Sequence, residues 1–180
     1  MMANYECTIR TNYFRVTDEE AYKKLINWIS AEDFYELKSV DGERQLHGFG
    51  IYGSASYYVP ASENAVVKKY VEDNEDLYDE NSNVVPVDEY DNTDALYNKE
   101  GIMVYDNHED DNFDYFLTKL QEILPDDEVF VYMEAGHEKL RYVTGFALVA
   151  TNKEIRTVNL ESFVDDTTNE LIGRTTSYVY

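Results

Sequence analysis

The sequence has few cysteines, few basic residues and no long apolar run, and each scarcity excludes a class of protein. The 180 residues include one cysteine, Cys7, which cannot form an intramolecular disulfide and so excludes a disulfide-stapled secreted scaffold. No run approaches the roughly 20 apolar residues that cross a bilayer. The opening residues MMANYECTIR do not have the pattern of a signal peptide. We therefore expect a cytoplasmic protein that does not enter a membrane.

Basic residues are outnumbered more than twofold by acidic ones. The chain has 15 Lys and Arg against 37 Asp and Glu, which gives a net charge of −22. Nucleic acids and anionic membranes repel such a chain, so we expect neither to be a direct partner. The charge favours a basic protein partner, and a charge that only keeps an accessory protein soluble is the alternative.

Catalytic and metal-binding motifs are also missing from the sequence. Cys7 lies in a predicted strand with no histidine near it, and the three histidines are isolated. The acidic run that begins at Asp73 has Tyr78 and Val84 where an EF-hand loop requires glycine and glutamate. We expect no catalytic residue, no metal and no cofactor; a divalent-metal enzyme that uses acidic residues stays open as an alternative.

The first half of the chain has the pattern of a strand, a helix and a hairpin. Alternation over Glu6–Val16 predicts a strand. Thr17 and Glu20 have the spacing of a capping box, which predicts a helix from Asp18 to Ile29. Two strands are predicted on either side of the Asp-Gly turn, at Asp33–Ser39 and Gln45–Tyr52.

The second half repeats this order and adds strands at its end. The predicted elements are a strand at Gly101–Tyr105, a helix at Asp110–Leu124, strands at Glu128–Glu134 and Arg141–Thr151 around a turn at Ala135–Glu138, and further strands at Ile155–Leu160 and Thr175–Tyr180. The repeated order predicts two βαββ units, at residues 1–71 and 101–180, with an acidic, tyrosine-containing excursion at residues 72–100; a chance likeness between hairpins is the alternative. The expected fold class is α+β, with antiparallel sheet and two amphipathic helices in one compact domain.

The negative charge is concentrated between Glu72 and Asp114. This segment holds 16 acidic residues with Lys99 as its only basic residue, so its net charge is −15, against −7 for the rest of the chain. Tyrosines are interleaved with the acids. We expect the segment to bind a partner through these residues: Asp73, Glu75, Asp76, Tyr78, Asp79, Glu80, Asp88, Glu89, Tyr90, Asp91, Asp94, Asp110, Asp111 and Asp114.

The charge density of this segment is comparable with that of DNA. Duplex DNA carries about one negative charge per 1.7 Å of axis, so a net charge of −15 matches roughly 25 Å of duplex, or about seven base pairs. A surface of this kind attracts a DNA-binding channel at long range. Its tyrosines can stack on the arginines of such a channel while its carboxylates pair with them.

In composition and build, the chain resembles the acidic DNA-mimic inhibitors of phages and mobile elements, of the antirestriction and anti-CRISPR types. The segments NYFRV at Asn12–Val16 and EKLRYVTGFALV at Glu138–Val149 are also similar to small accessory proteins of bacterial mobile elements. The resemblance implies a non-enzymatic inhibitor, acting in the cytoplasm of a bacterial host, that binds a DNA-handling nuclease. A CRISPR effector is favoured over a restriction enzyme, because RNA-guided effectors hold their heteroduplex in a basic channel and read a short flanking motif with arginines.

Overall fold

The computed structural model describes residues 5–107, 112–138 and 142–174, and within them the chain is α+β, as predicted. The fold has two compact units. Unit 1 comprises Met1–Leu25, Ala31–Ala55 and Leu117–Tyr180, and unit 2 comprises Ile26–Ser30 and Ser56–Phe116. None of the described helices is long and apolar enough to span a membrane.

The described part of the chain contains ten β-strands and four α-helices. In order they are β1 (Tyr5–Thr11), α1 (Glu19–Ile26), β2 (Ile29–Asp41), β3 (Arg44–Tyr57), α2 (Ala65–Glu72), β4 (Leu77–Tyr78), β5 (Val84–Val85), β6 (Ala95–Tyr97), β7 (Met103–Asp106), α3 (Phe113–Glu122), β8 (Phe130–Glu138), β9 (Tyr142–Ala150), β10 (Ile155–Asn159) and α4 (Leu160–Ile172), with short 3₁₀ helices at Ala61–Glu63 and Val87–Asn92. The predicted helices correspond to α1 and α3. Helices α2 and α4 were not predicted, and the strand predicted at Thr175–Tyr180 lies outside the described residues.

The sheet of unit 1 has six strands in the order β10-β9-β8-β1-β3-β2. Strand β1 is central and pairs antiparallel with both β3 and β8, so that Ile9 lies opposite Ile51 on one side and Glu134 on the other. Side chains alternate between the faces of a strand. Cys7 and Ile9 are therefore buried, whereas Arg10 is exposed.

The aromatic core of unit 1 lies on the inner face of this sheet. Its largest fully buried side chains include Phe14, Tyr22, Phe49, Phe130 and Leu148. Phe14 contacts Tyr22 and Phe130 edge-on, with ring centroids 5.8 and 5.1 Å apart. Edge-to-face contacts of this kind add to the stabilisation from burial alone. Many of the tyrosines and phenylalanines are thus used to build the fold.

Helix α1 begins one residue later than the capping-box pattern predicts. Asp18 is the N-cap, because its carboxylate accepts hydrogen bonds from the backbone N–H groups of Glu20 and Ala21 at 3.0 and 2.9 Å. The hydroxyl of Thr17 donates instead to the carbonyl of Ile123 at 3.1 Å. Asp is as good an N-cap as Thr, and the tertiary hydrogen bond decides between them.

The NYFRV segment continues from β1 as an irregular stretch that is bonded to β8. The Asn12 side chain accepts from the N–H of Val131 at 2.7 Å and donates to the carbonyl of Val129 at 2.8 Å. Arg15 bonds Glu128 at 2.6 Å. The strand predicted to reach Val16 therefore ends as a regular strand at Thr11, and beyond it these side-chain bonds accompany an isolated antiparallel backbone bridge between Phe14 and His47.

The turn predicted at Ala135–Glu138 is wrong, because these residues belong to β8. Gly136 lies opposite Cys7 of β1 and Thr144 of β9, inside a continuous antiparallel ladder. Gly-His is a weaker turn signal than the Asp-Gly of the β2–β3 hairpin, where Gly42 has the left-handed conformation with φ 64°. Pairing on both sides of β8 outweighs the local preference.

The last two elements of unit 1 are β10 and α4. The predicted strand at Ile155–Leu160 is confirmed up to Asn159. There the Asn159 side chain accepts from the backbone N–H of Ser162 at 2.7 Å and caps the start of α4, and Gly173, with φ 72°, follows Ile172 as the C-cap. Asparagine at the N-cap and a left-handed glycine after the last turn are common helix boundaries. These two residues are the features of the sequence from which α4 could have been predicted.

Unit 2 has its own four-stranded sheet, in the order β5-β4-β6-β7. The segment predicted as an excursion, residues 72–100, contributes three of these strands. Each of the three places one side chain in a buried cluster, namely Leu77, Val85 and Leu96. The cluster also contains Ala61, Val67, Tyr90 and Tyr105 from neighbouring elements. Strand β7, which the repeat hypothesis assigned to the second βαββ unit, pairs with β6 in this sheet.

The two helices that contribute to unit 2 begin at asparagine caps. Asn64 accepts from the backbone N–H of Val66 at 2.9 Å at the start of α2. Asn112 accepts from the backbone N–H of Tyr115 at 2.9 Å at the start of α3. Helix α3 thus begins at Phe113, and the predicted start at Asp110 lies outside the described residues.

Candidate partner-binding surface

The acidic residues of unit 2 lie on its outside, around the short strands and the loops between them. We define the acidic surface as the exposed carboxylates of unit 2 between residues 72 and 100. These are Glu72, Asp73, Glu75, Asp76, Glu80, Asp88, Glu89, Asp91, Asp94 and Glu100. Because the apolar residues of the same segment point into the cluster described above, the chain presents carboxylates outward from a folded support.

Basic residues do little to neutralise this surface. Unit 2 contains three lysines and no arginine. Lys69 bonds Asp73 at 2.7 Å, Lys68 bonds Glu63 at 2.9 Å and Lys99 lies 3.8 Å from Glu100. Asp73 raises the pKa of Lys69 through the first of these bonds. Each lysine is thus already paired with a carboxylate.

Asp79, which is half-buried, organises the loop between β4 and β5. Its carboxylate accepts from the backbone N–H groups of Asn81 and Asn83 at 2.9 and 2.8 Å, and from the side-chain amide of Asn83 at 2.9 Å. The bonds from Asn83 hold the pKa of Asp79 below its usual value. Ser82 has φ 63° in the same loop. Asp79 therefore has a structural role in addition to its charge.

Asp91 also has partners within unit 2. Its two carboxylate oxygens accept from the backbone N–H and the hydroxyl of Ser62 at 2.8 and 2.9 Å. This pair of bonds joins the two 3₁₀ helices. Substitution of Asp91 is therefore expected to disturb the packing of unit 2 as well as its charge.

The remaining predicted contact residues on the acidic surface form no ion pair within the described part of the chain. They are Glu75, Asp76, Glu80, Asp88, Glu89 and Asp94. Side chains of this kind can approach a partner without breaking an internal ion pair. They are the part of the predicted site that the structure leaves available.

The predicted aromatic anchors differ in their exposure. Tyr90 is 3% exposed and belongs to the core of unit 2; burial and then the charge of Asp76 raise the pKa of its hydroxyl. Tyr90 is therefore removed from the contact surface. Tyr78 is half-buried and lies opposite the half-buried Tyr97 in the β4–β6 pair. These two tyrosines are the aromatic groups that a partner can reach here.

Two acidic grooves lie beside the β4–β5 loop. One, of about 440 Å³, is lined by residues that include Asp79, Glu80, Glu89 and Asp94. The other, of about 430 Å³, is lined by residues that include Asp79, Glu80, Lys99 and the tyrosines of the β4–β6 pair. The loop that Asp79 holds in place thus separates two concave sites, of which the first is the more acidic because Lys99 lines only the second.

The predicted contact residues near α3 are only partly described. Asp114 is exposed in the first turn of α3, where a carboxylate complements the helix dipole. Asp110 and Asp111 lie outside the described residues. The structure therefore adds one of these three side chains to the surface of unit 2.

No group of three His, Cys, Asp or Glu side chains that could hold a metal ion occurs within the described ranges. Cys7 is buried, its thiol bonds the carbonyl of Gly53 at 2.8 Å, and burial raises its pKa. His47 is 1% exposed, and its Nε2 lies 3.0 Å from Glu19. Both side chains are used in packing.

The acidic surface and its grooves are the principal functional candidate of this fold, because exposed carboxylates that form no ion pair among the described residues lie beside two concave sites. All residues of the acidic surface and of the two grooves belong to unit 2. In comparisons with known proteins, no family model, no curated protein and no solved structure matches the chain.

Proposed function

We propose that the protein is a non-enzymatic inhibitor that binds the basic nucleic-acid-binding surface of a bacterial defence nuclease. The observation that carries the proposal is the uncompensated charge of unit 2. Its three lysines are already paired, and several exposed carboxylates, such as Asp76 and Glu89, form no ion pair among the described residues. Concentrated like charge destabilises a fold by self-repulsion, and a basic partner relieves that repulsion.

The grooves beside the β4–β5 loop favour a partner that presents arginines. A guanidinium forms two parallel hydrogen bonds with one carboxylate and also stacks on aromatic rings. Glu80 lines both grooves, and Tyr78 lines one of them. Arginines that read a flanking DNA motif or line a heteroduplex channel have this chemistry. A CRISPR effector is therefore the favoured target, ahead of a restriction enzyme.

The direct test is a binding and cleavage assay with purified nucleases. A guide-loaded CRISPR effector and a restriction enzyme are each titrated with the protein at several salt concentrations. We expect binding to the DNA-free nuclease, competition by its target DNA, loss of cleavage, and weaker binding as salt rises, because salt screens exposed charges beyond about 8 Å at physiological ionic strength. Binding that target DNA does not displace, or that ignores salt, would contradict the proposal.

A matched pair of variants distinguishes the contribution of the acidic surface to binding from the contribution of the overall charge of the chain. The first variant neutralises Glu75, Asp76, Asp88 and Glu89 to Gln and Asn. The control neutralises two Glu and two Asp that are equally exposed in unit 1: Glu32, Asp33, Asp41 and Glu43.

Each exposed ion pair contributes about 0 to 1 kcal/mol, so the first variant should bind on the order of 30-fold more weakly. Most of this loss should be in the association rate. The control should bind almost as tightly as wild type. Equal losses in both variants would show that the charge acts without a defined surface.

A further inference from the structure

The second of the two grooves, of about 430 Å³, contains a hydrogen-bond donor without a partner among the described residues. Asn98 lines this groove and is 9% exposed. Its Oδ1 accepts from the backbone N–H groups of Glu100 and Ile102 at 3.0 and 2.9 Å, which fixes the orientation of the side-chain amide. The Nδ2 of Asn98 forms no hydrogen bond within the described part of the chain and keeps contact with solvent. The exposed part of this buried side chain is therefore a donor that the groove presents to a ligand.

The two loops that border this groove present different groups to it. The turn between β6 and β7 supplies the donors of Asn98 and Lys99, and the loop between β4 and β5 supplies the carboxylate of Glu80. Asp79 also lines the groove, but its carboxylate already accepts hydrogen bonds from its own loop. The ammonium group of Lys99 lies 3.8 Å from Glu100, so its charge is partly compensated. A ligand in this groove therefore meets donors from one loop and an available acceptor from the other.

Two tyrosines complete the lining of the second groove. Tyr78 is the last residue of β4 and Tyr97 is the last residue of β6, so each directly precedes one of the two loops. The two residues lie opposite one another in the β4–β6 pair, and opposite residues project from the same face of a sheet. Both are half-buried, so the fold supports their rings. The rings offer a surface on which a planar cation can stack.

The chemistry of an arginine residue within a peptide matches all of these groups. Its guanidinium is planar, pairs with a carboxylate through two hydrogen bonds and stacks on aromatic rings. Its main-chain carbonyl is the acceptor that the free donor of Asn98 requires. A lysine lacks the planar group, and a guanidinium alone lacks the acceptor. The net charge of −15 between Glu72 and Asp114 attracts a cation and repels a phosphate.

We propose that the second groove binds one arginine residue of the partner together with its main-chain carbonyl. The guanidinium pairs with Glu80 and stacks against Tyr78 and Tyr97, and the carbonyl accepts from Nδ2 of Asn98. This inference rests on the proposed function, because it names the group that the nuclease presents to this groove. It also assigns a binding role to Asn98, an uncharged residue that attraction between net charges would not involve.

Titration followed by nuclear magnetic resonance tests the inference with two small probes, N-acetyl-arginine methylamide and ethylguanidine. The arginine derivative should shift the side-chain amide signals of Asn98 and bind about three- to tenfold more tightly than ethylguanidine, which has no carbonyl to accept a hydrogen bond. Asn98→Asp keeps an oxygen that caps the turn and removes the donor. Its added charge attracts both probes alike, so the ratio of the two affinities isolates the bond to the carbonyl. In this variant the advantage of the arginine derivative should be lost.

Glu80→Gln should weaken the binding of both probes about threefold or more, because the guanidinium loses its carboxylate. Glu43→Gln is the matched control, since Glu43 is an exposed glutamate of unit 1, and it should bind both probes as wild type does. Heteronuclear spectra show whether each variant is folded, and the shift of the Asn98 amide in wild type is measured without any variant.

Three results would overturn the inference. The first is an Asn98 amide that millimolar arginine derivative does not shift, and the second is an unchanged affinity ratio in Asn98→Asp. The third is tighter binding of guanosine, an uncharged heterocycle with donors and acceptors, which would assign the groove to a different ligand. A nuclease that binds the protein although the arginine derivative does not shift Asn98 would leave the proposed function intact and reject this groove as its contact. A shifted Asn98 without nuclease binding would support the arginine site and reject the nuclease as the partner.

Discussion

The rings of Tyr22 and His47 lie 4.3 Å apart in the core of unit 1, and each carries a buried polar atom with no hydrogen-bond partner among the described residues. These atoms are the Tyr22 hydroxyl and His47 Nδ1. Burial, followed by the charges of Glu36 and Glu19, raises the pKa of Tyr22. The hydroxyl is therefore neutral at physiological pH and is buried at a cost that no hydrogen bond offsets.

Replacing Tyr22 with Phe should stabilise the protein. The ring and its packing stay, while the unbonded hydroxyl is removed, so the free energy of unfolding should rise by up to about 1 kcal/mol in urea denaturation. The control is Tyr105→Phe in unit 2, where the buried hydroxyl donates to the carbonyl of Val59 at 2.8 Å; that change should cost about 1 to 3 kcal/mol. Equal losses in the two variants would mean that the Tyr22 hydroxyl has a partner in solution.

A second prediction concerns Asn12, whose side chain bonds Val131 in β8 and Val129 just before it. Asn12→Ala leaves the N–H of Val131 and the carbonyl of Val129 without these partners, and should lower the free energy of unfolding by about 1 to 3 kcal/mol. Asn152→Ala is the control, because the Asn152 side chain bonds Asp126 at the exposed surface and should change stability by less than about 0.5 kcal/mol. A neutral Asn12→Ala would show that water replaces both bonds.

The long periodic elements of this fold could be predicted from the sequence. Helix α1 has the i, i+3 spacing of Tyr22 and Leu25, both buried, and the β2–β3 hairpin has a glycine at its left-handed turn position. Helix α4 could not be found from burial, since none of its residues is buried. In unit 2 the strand predicted at Gly101–Tyr105 corresponds to β7, whereas β4, β5 and β6 are only two or three residues long, which is too short for alternation to be recognised.

The segment that concentrates the negative charge could also be predicted. Which of its carboxylates accept hydrogen bonds within the fold, and which are exposed without an ion pair, could not. Nothing in the sequence separates Asp79 and Asp91, which accept hydrogen bonds in folded loops, from Asp88, which is exposed without an ion pair among the described residues. Tyr90 is flanked by acids in sequence and is nevertheless a core residue. These differences depend on contacts that form only when unit 2 is folded.

A third prediction concerns the pH dependence of the β4–β5 loop. Asn83 and Asn81 hold the pKa of Asp79 below its ordinary value of 3.8, so the ionised carboxylate stabilises the loop above that value. This stabilisation should be lost as the pH falls through the lowered pKa. Hydrogen exchange of the Asn81 and Asn83 amides, relative to the intrinsic rate at each pH, should therefore show less protection at low pH.

Asp79→Asn is the informative variant for this loop. Asn keeps an oxygen that accepts from the backbone N–H groups, so the loop should persist, but its protection should no longer depend on acid. Glu80→Gln is the matched control, since Glu80 is the exposed neighbour, and it should keep the wild-type pH dependence. A pH dependence that survives in Asp79→Asn would assign it to a different group.

The last prediction concerns how much the acidic surface destabilises the fold, and it can be tested on the protein without a partner. Neutralising Glu75, Asp76, Asp88 and Glu89 removes like charges that form no ion pair among the described residues. Self-repulsion then falls, so the melting temperature in low salt should rise above that of wild type. The gain should shrink as salt is added, because salt screens the same repulsion.

The control variant at Glu32, Asp33, Asp41 and Glu43 removes four charges from unit 1, outside the segment that carries −15 of the net charge of −22. It should raise the melting temperature less in low salt, since fewer like charges surround the substituted positions within a screening length. Equal gains in the two variants would mean that the repulsion is a property of the whole chain. No gain in either variant would mean that the acidic surface is not strained by its own charge, and relief of self-repulsion would then no longer support the proposed binding to a basic partner.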